Sequence, residues 1–183
     1  MHPMTAWVYV VLGYNVFWIL LLYTIPSVRW NTKEGNIRSI SGILSIFHAA
    51  GIIGFGGLYA TLFLVFSVAS VKQPRLFVLA VVMMLCSMGV LGFDVHEYHG
   101  LHTACFVLLQ LSIIVYANLL PMESGLVCTR VVNSLTAMLL LSMACTAFGL
   151  RTQSLQNVIE IFWALSFAWY VVLVTKHIEN ALI

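Results

Sequence analysis

The chain has 183 residues, 62% of them hydrophobic and only 8% charged, with a formal net charge of +2 and a mean hydropathy of +1.03. A soluble domain carries roughly 25% charged residues, so too few are present here to cover a water-facing surface, and the excess apolar surface has to face lipid. The Lys and Arg residues are dispersed, which excludes a basic nucleic-acid footprint, and no CxxC pair joins the cysteines into a zinc or thioredoxin-like motif.

In chain order, the first apolar run extends from about Ala6 to Ile25 and ends at Pro26, which cannot continue a helix. No basic segment precedes it and "LLYTIPSVRW" offers no small-residue cleavage site, so it is expected as a retained helix rather than a signal peptide. A polar loop follows. The stretch from Ile40 to Val71 is too long for one simple span at ~1.5 Å per residue. The crossing part of the second helix is therefore placed at about 47–69, with 40–47 oblique or interfacial. "SVKQPR" makes a polar turn before a third helix at about 76–93, and the histidine-rich "DVHEYHG" connects it to a fourth at about 101–120, closed by Pro121. The fifth and sixth helices are expected at about 127–150 and 155–175.

The predicted fold is all-α: residues 1–183 form one integral membrane bundle of six transmembrane helices with short loops, sequential helices being antiparallel neighbours. A membrane barrel would need alternating segments of about ten residues, and none is present. With the N-terminus inside, Lys72, Arg75, Arg130 and Lys176 fall inside and Arg29, Lys33, Arg38 and Arg151 outside. That tie leaves orientation open under the positive-inside rule.

Several features carry chemistry or packing. Ala50 with Gly54, and Gly56 with Ala60, are small-xxx-small pairs in the second helix, expected to let helices approach closely within the bundle or between copies. The densest polar cluster is Asp94, His96, Glu97, His99 and His102. His96, His99, His102 and Asp94 have the donor types of a zinc or iron site, although H-E-x-x-H is not met because position 100 is glycine. The plain reading is a polar surface loop with His102 alone facing the bundle. His48 and His102 lie on two different helices and form a candidate axial haem pair. The expectation is nevertheless no cofactor, with haem or a transition metal as the open alternative. "RSISG" lacks the features of a rhomboid serine site, and the absence of a lysine within any span disfavours a retinal protein. Glu160, about one turn into the sixth span, is a functional candidate because ionisable groups are costly at membrane depth. Its expected partners are Arg151 or the positive end of its own helix. Asn15, Gln110, Asn118 and Asn133 are expected to make interhelical or interfacial hydrogen bonds.

The order of these features resembles the damage-regulated autophagy modulator (DRAM)/Frag/Sfk superfamily. The residues that carry the likeness are Ile40 and Ser41 before the second helix, then Gly92, Asp94, His102, Ala104 and Phe106 across the third turn and fourth helix. The first loop is shorter than usual and lacks proline and cysteine. The resemblance implies a multi-pass, non-enzymatic protein of endomembranes or plasma membrane tied to lipid organisation, with Asp94 and His102 as structural positions. The leading expectation is action through membrane lipids or protein partners without catalysis. The alternatives are an accessory subunit of a larger respiratory, photosynthetic or channel complex, self-association, and a His-ligated redox protein.

Overall fold

The computed structural model describes residues 3–31, 36–38, 40, 42, 43, 48–93, 97–120, 122, 125–150 and 152–182, and the backbone alone of 31, 36, 37, 48–54 and 182. The elements are α1 (Pro3–Thr24), α2 (Pro26–Arg29), β1 (Trp30–Asn31), β2 (Asn36–Ile37), α3 (His48–Ala69), α4 (Pro74–Gly92), α5 (His99–Leu119), α6 (Leu126–Ala147) and α7 (Gln153–Leu182). Among the described residues the regular structure is helical apart from one minimal antiparallel ladder, Trp30 opposite Ile37 and Asn31 opposite Asn36. No strand pattern marks that ladder in the sequence, since two residues are too few to show a period.

Among the described residues five helices, α1, α4, α5, α6 and α7, are long and apolar enough to cross a membrane. α3 has 22 residues, and its segment Phe55–Ala69 is a shorter apolar helix. The outer faces are apolar, and the core is hydrophobic with polar side chains set among its residues. On α1, Trp7, Val10, Tyr14 and Phe17 are 55%, 66%, 55% and 60% exposed and recur at helical spacing as one continuous face. A water-soluble monomer does not tolerate such a patch. Inside, Asn15, Gln110, Thr136, Glu160 and Thr175 are buried.

Those buried polar groups are tolerated because most satisfy themselves locally. Ser87 donates to Met83 O at 2.7 Å, Thr136 to Val132 O at 2.8 Å and Thr175 to Val171 O at 2.9 Å, each bonding back one turn along its own helix. Asn15 and Asn118 do likewise, donating to Val11 O and Ile114 O. Both of these bonds lie within the asparagine's own helix, where an acceptor lies one turn back, and do not cross between helices. Gln110 and Asn133 differ: neither polar atom of Gln110, nor Asn133 Oδ1, has a partner among the described residues.

α1 packs on α3 and α7, α3 on α4 and α7, α4 on α5, α5 on α6, and α6 on α7. Bonds cross several of these seams. Trp163 Nε1 donates to Thr136 Oγ1 at 2.8 Å, and Trp7 Nε1 to Thr61 Oγ1 at 3.2 Å. Tyr116 OH donates to Phe66 O at 2.9 Å and lies 2.7 Å from Ser70 Oγ. The Thr5 N–H, one of the orphan donors at a helix start, donates to Glu179 Oε1 at 3.0 Å and ties the start of α1 to the end of α7.

Three helix ends differ from hydropathy. α6 stops at Ala147, short of Leu150, because Gly149 takes φ +83. Gly149 N–H then donates to Thr146 O and Leu150 N–H to Cys145 O, the paired closure of a left-handed glycine cap. α7 runs on to Leu182, past Thr175, since hydropathy measures lipid thickness, whereas polar helix formers continue the ladder into water. Before α3, Ile40, Gly42 and Ile43 are helical, and Ile40 and Ile43 are buried.

Two helices approach closely at Gly89. A Cβ at Gly89 would collide with Cys105 Sγ and stand 3.1 Å from Cys105 Cβ, whereas one at Gly56 would meet nothing within 4 Å. Ala60 is exposed. Ala50 and Gly54 lie outside the described side chains.

Candidate functional site

A cavity of about 160 Å³ lies between α1, α3, α4, α5 and α7. Helical spacing builds its walls: Ala80, Met83, Ser87 and Val90 share one face of α4, and His102, Phe106, Leu109 and Ile113 one face of α5. An aromatic cluster that includes the lining residues Phe66, Trp163 and Phe167 adjoins it. There Phe66 meets Tyr116 edge-on at 4.8 Å, and Trp163 stacks on Phe167 at 5.1 Å with their planes 9° apart.

The lining is mostly apolar: Leu62, Phe66, Ala80, Met83, Leu109 and Ile113 are hydrocarbon-like, and Asn15, Tyr59, Ser87, His102 and Glu160 supply polar atoms among such residues. His102 enters from the first turn of α5 and Glu160 from about two turns into α7. Sequential antiparallel packing brings those turns to the bundle end where α1 and α4 finish.

His102 is buried, and its Nδ1–H donates to Phe93 O at 2.9 Å. A carbonyl only accepts, so this bond places a proton on Nδ1. Phe93 closes α4, and its carbonyl is one of that helix's orphan acceptors. His102 thereby pins the end of α4 to the start of α5.

Glu160 is 8% exposed, and its Oε2 accepts the Ile40 N–H at 3.3 Å. The sequence points to Arg151 or the helix terminus as its partner, but a chain segment 120 positions away supplies this donor. Arg151 lies outside the described residues. Tyr23 OH donates to Arg38 O at 2.7 Å, so the segment leading into α3 is held by α1 as well as α7. Tyr23 and Tyr59 both lie within electrostatic reach of the Glu160 carboxylate.

The histidine cluster divides. His102 lines the cavity, whereas Glu97 and His99 are exposed, and Asp94 and His96 lie outside the described residues. His48 opens α3 at the same bundle end as His102, with its side chain outside the description. Among the described residues no group of three His, Cys, Asp or Glu converges as a metal site would. The cavity roles of Tyr59 and Ser87 have no signal in the sequence, because tyrosine and serine are common in spans. Asn15 has one: a carboxamide within an apolar run points inward.

A chain with five helices long and apolar enough to cross a membrane, and with lipid-compatible outer faces, is a multi-pass integral membrane protein. No family model matches it, and neither does any curated protein or solved structure.

Proposed function

We propose that this is a six-span membrane protein that binds a lipid-like amphiphile in its intramembrane cavity and acts through that lipid without catalysis of its own. The observation that carries the reading is a concave, mostly apolar lining that includes a few polar side chains, His102 and Glu160 among them. Small-molecule sites are concave, mostly apolar and carry a few convergent polar groups, and this cavity opens into a protein whose solvent is lipid.

Six crossings are supported by parity. Thr5 and Glu179 are hydrogen-bonded, so α1 starts where α7 ends, and only an even number of crossings returns the chain to its starting side. α3 is then the sixth. A lipid-linked role in an endomembrane or the plasma membrane is also what the DRAM/Frag/Sfk resemblance implies, and membership of that superfamily is part of the reading.

Native mass spectrometry after extraction in a mild detergent tests the cavity: one lipid should be retained per chain, and Ala80→Phe should reduce its occupancy by filling the space. A bare-chain mass under conditions that preserve other lipid complexes would sink the proposal. For the crossings, Asn31→Cys and Gln73→Cys on a cysteine-free background should label from opposite sides of sealed vesicles. Labelling from one side would remove α3 as a span.

A further inference from the structure

The size of the cavity and the chemistry of its walls restrict which part of an amphiphile can enter. An apolar cavity of about 150 Å³ takes a single benzene ring. A volume of about 160 Å³ therefore admits one six-membered ring, and any tail the ligand carries stays outside. Apolar contact alone would not hold even that ring, because lipid tails are as apolar as leucine and a hydrocarbon gains nothing by exchanging one for the other. Retention rests instead on contacts that acyl chains do not make. The walls offer two kinds, aromatic rings and hydrogen-bonding side chains.

Phe55, Phe106 and Trp163 are lining residues, and a ring that meets another in offset or edge-to-face contact gains more than its buried area alone gives. Asn15, Tyr59 and Ser87 line the cavity as well. Ser87 directs its hydroxyl proton at Met83 O, and Asn15 one amide proton at Val11 O. The Ser87 oxygen keeps lone pairs, Asn15 keeps a second N–H, and a tyrosine hydroxyl both donates and accepts. A ligand hydroxyl, itself donor and acceptor, matches that mixture. A ketone has no proton for the Ser87 oxygen, and a bare ring serves none of the three. These six residues stand five to eleven positions from the ends of their helices on the side where α1 and α4 finish. That is about 8 to 17 Å at the helical rise, so the aromatic and polar side chains belong to one stretch of the cavity. Glu160 has no part in this match, its Oε2 being engaged by the Ile40 N–H.

Resting on the lipid-binding reading above, we propose that the cavity takes the head ring of a phenolic amphiphile. The ring lies against Phe55, Phe106 and Trp163, its hydroxyl bonds to Asn15, Tyr59 and Ser87, and its tail remains outside. The test uses the full chain in phosphatidylcholine nanodiscs with a photoactivatable alkylphenol carrying a diazirine in its alkyl group. Unlabelled para-pentylphenol, pentylbenzene and decanol compete, each dosed by its mole fraction in the bilayer. Pentylbenzene has the ring without the hydroxyl, and decanol the hydroxyl without the ring. The phenol should compete at least about tenfold better than either. Ser87→Ala, whose lost bond lies within its own helix, should cut the phenol's advantage over pentylbenzene at least about threefold. Asn15→Leu makes the same test from α1 should Ser87→Ala fail to elute as a monodisperse species. Equal competition by decanol would overturn the ring, and equal competition by pentylbenzene the hydroxyl. An advantage unchanged in both variants would overturn the polar contacts. No saturable labelling by the phenol, with a lipid still retained in native mass spectrometry, would bring down this proposal alone; loss of both would bring down the lipid reading with it.

Discussion

Two glycine-to-alanine substitutions in neighbouring helices should behave in opposite ways. Alanine in a helix interior is favoured over glycine by roughly 0.5–1 kcal/mol, and this gain applies equally to Gly56→Ala in α3 and Gly89→Ala in α4. What differs is the space. At Gly56 nothing lies within 4 Å of the new Cβ, whereas at Gly89 it would collide with Cys105 Sγ and stand 3.1 Å from Cys105 Cβ. Overpacking costs about 1–3 kcal/mol, and because the propensity gain cancels, the two variants should differ by about that amount. At roughly 2–4 °C per kcal/mol for a chain of this length, the gap in unfolding temperature is about 2–12 °C. Thermal unfolding of detergent-solubilised protein, followed by fluorescence-detected size exclusion, measures it. Cys105→Ala should recover part of the Gly89→Ala loss, a coupling readable in a double-mutant cycle. If Gly56→Ala loses as much as Gly89→Ala, then α3 is packed at its small-residue stripe and the helix seams drawn above are wrong.

Other predictions follow the same logic. Gly149→Ala forces a side chain into left-handed backbone at φ +83 and should cost about 1–2 kcal/mol, loosening the α6–α7 turn and increasing proteolysis there. Tyr116→Phe removes the hydroxyl between Phe66 O and Ser70 Oγ. The loss should be about 0.5–1.5 kcal/mol, at the low end because Ser70 still donates to Phe66 O; a loss above about 3 kcal/mol would mean the hydroxyl does something else. Glu179→Ala withdraws the acceptor of the Thr5 N–H and should speed hydrogen exchange in the first turn of α1 while leaving exchange in α4 and α5 unchanged.

The membrane class was legible from composition alone, because a chain with so few charges has no other solvent available. Helix positions were legible where hydropathy coincides with a chemical stop, as at Pro26 after α1. Where the stop is conformational, hydropathy overran it: the left-handed Gly149 ends α6 inside an apolar run. Glu160 stood out by sequence because a carboxylate at membrane depth is expensive, yet its bond to Ile40 could not be read there, since the two are 120 positions apart.

Residue type and order therefore determine, without coordinates, that this chain lies in a membrane as a bundle of helices and that Glu160 and His102 are exceptional within it. Which faces meet was decided only by tertiary packing. Glycines mark where helices can approach, and the surrounding volumes decide that they do so at Gly89 rather than Gly56. The cavity is likewise a property of five helices at once: no single span encodes it, because a void is defined by the walls on every side.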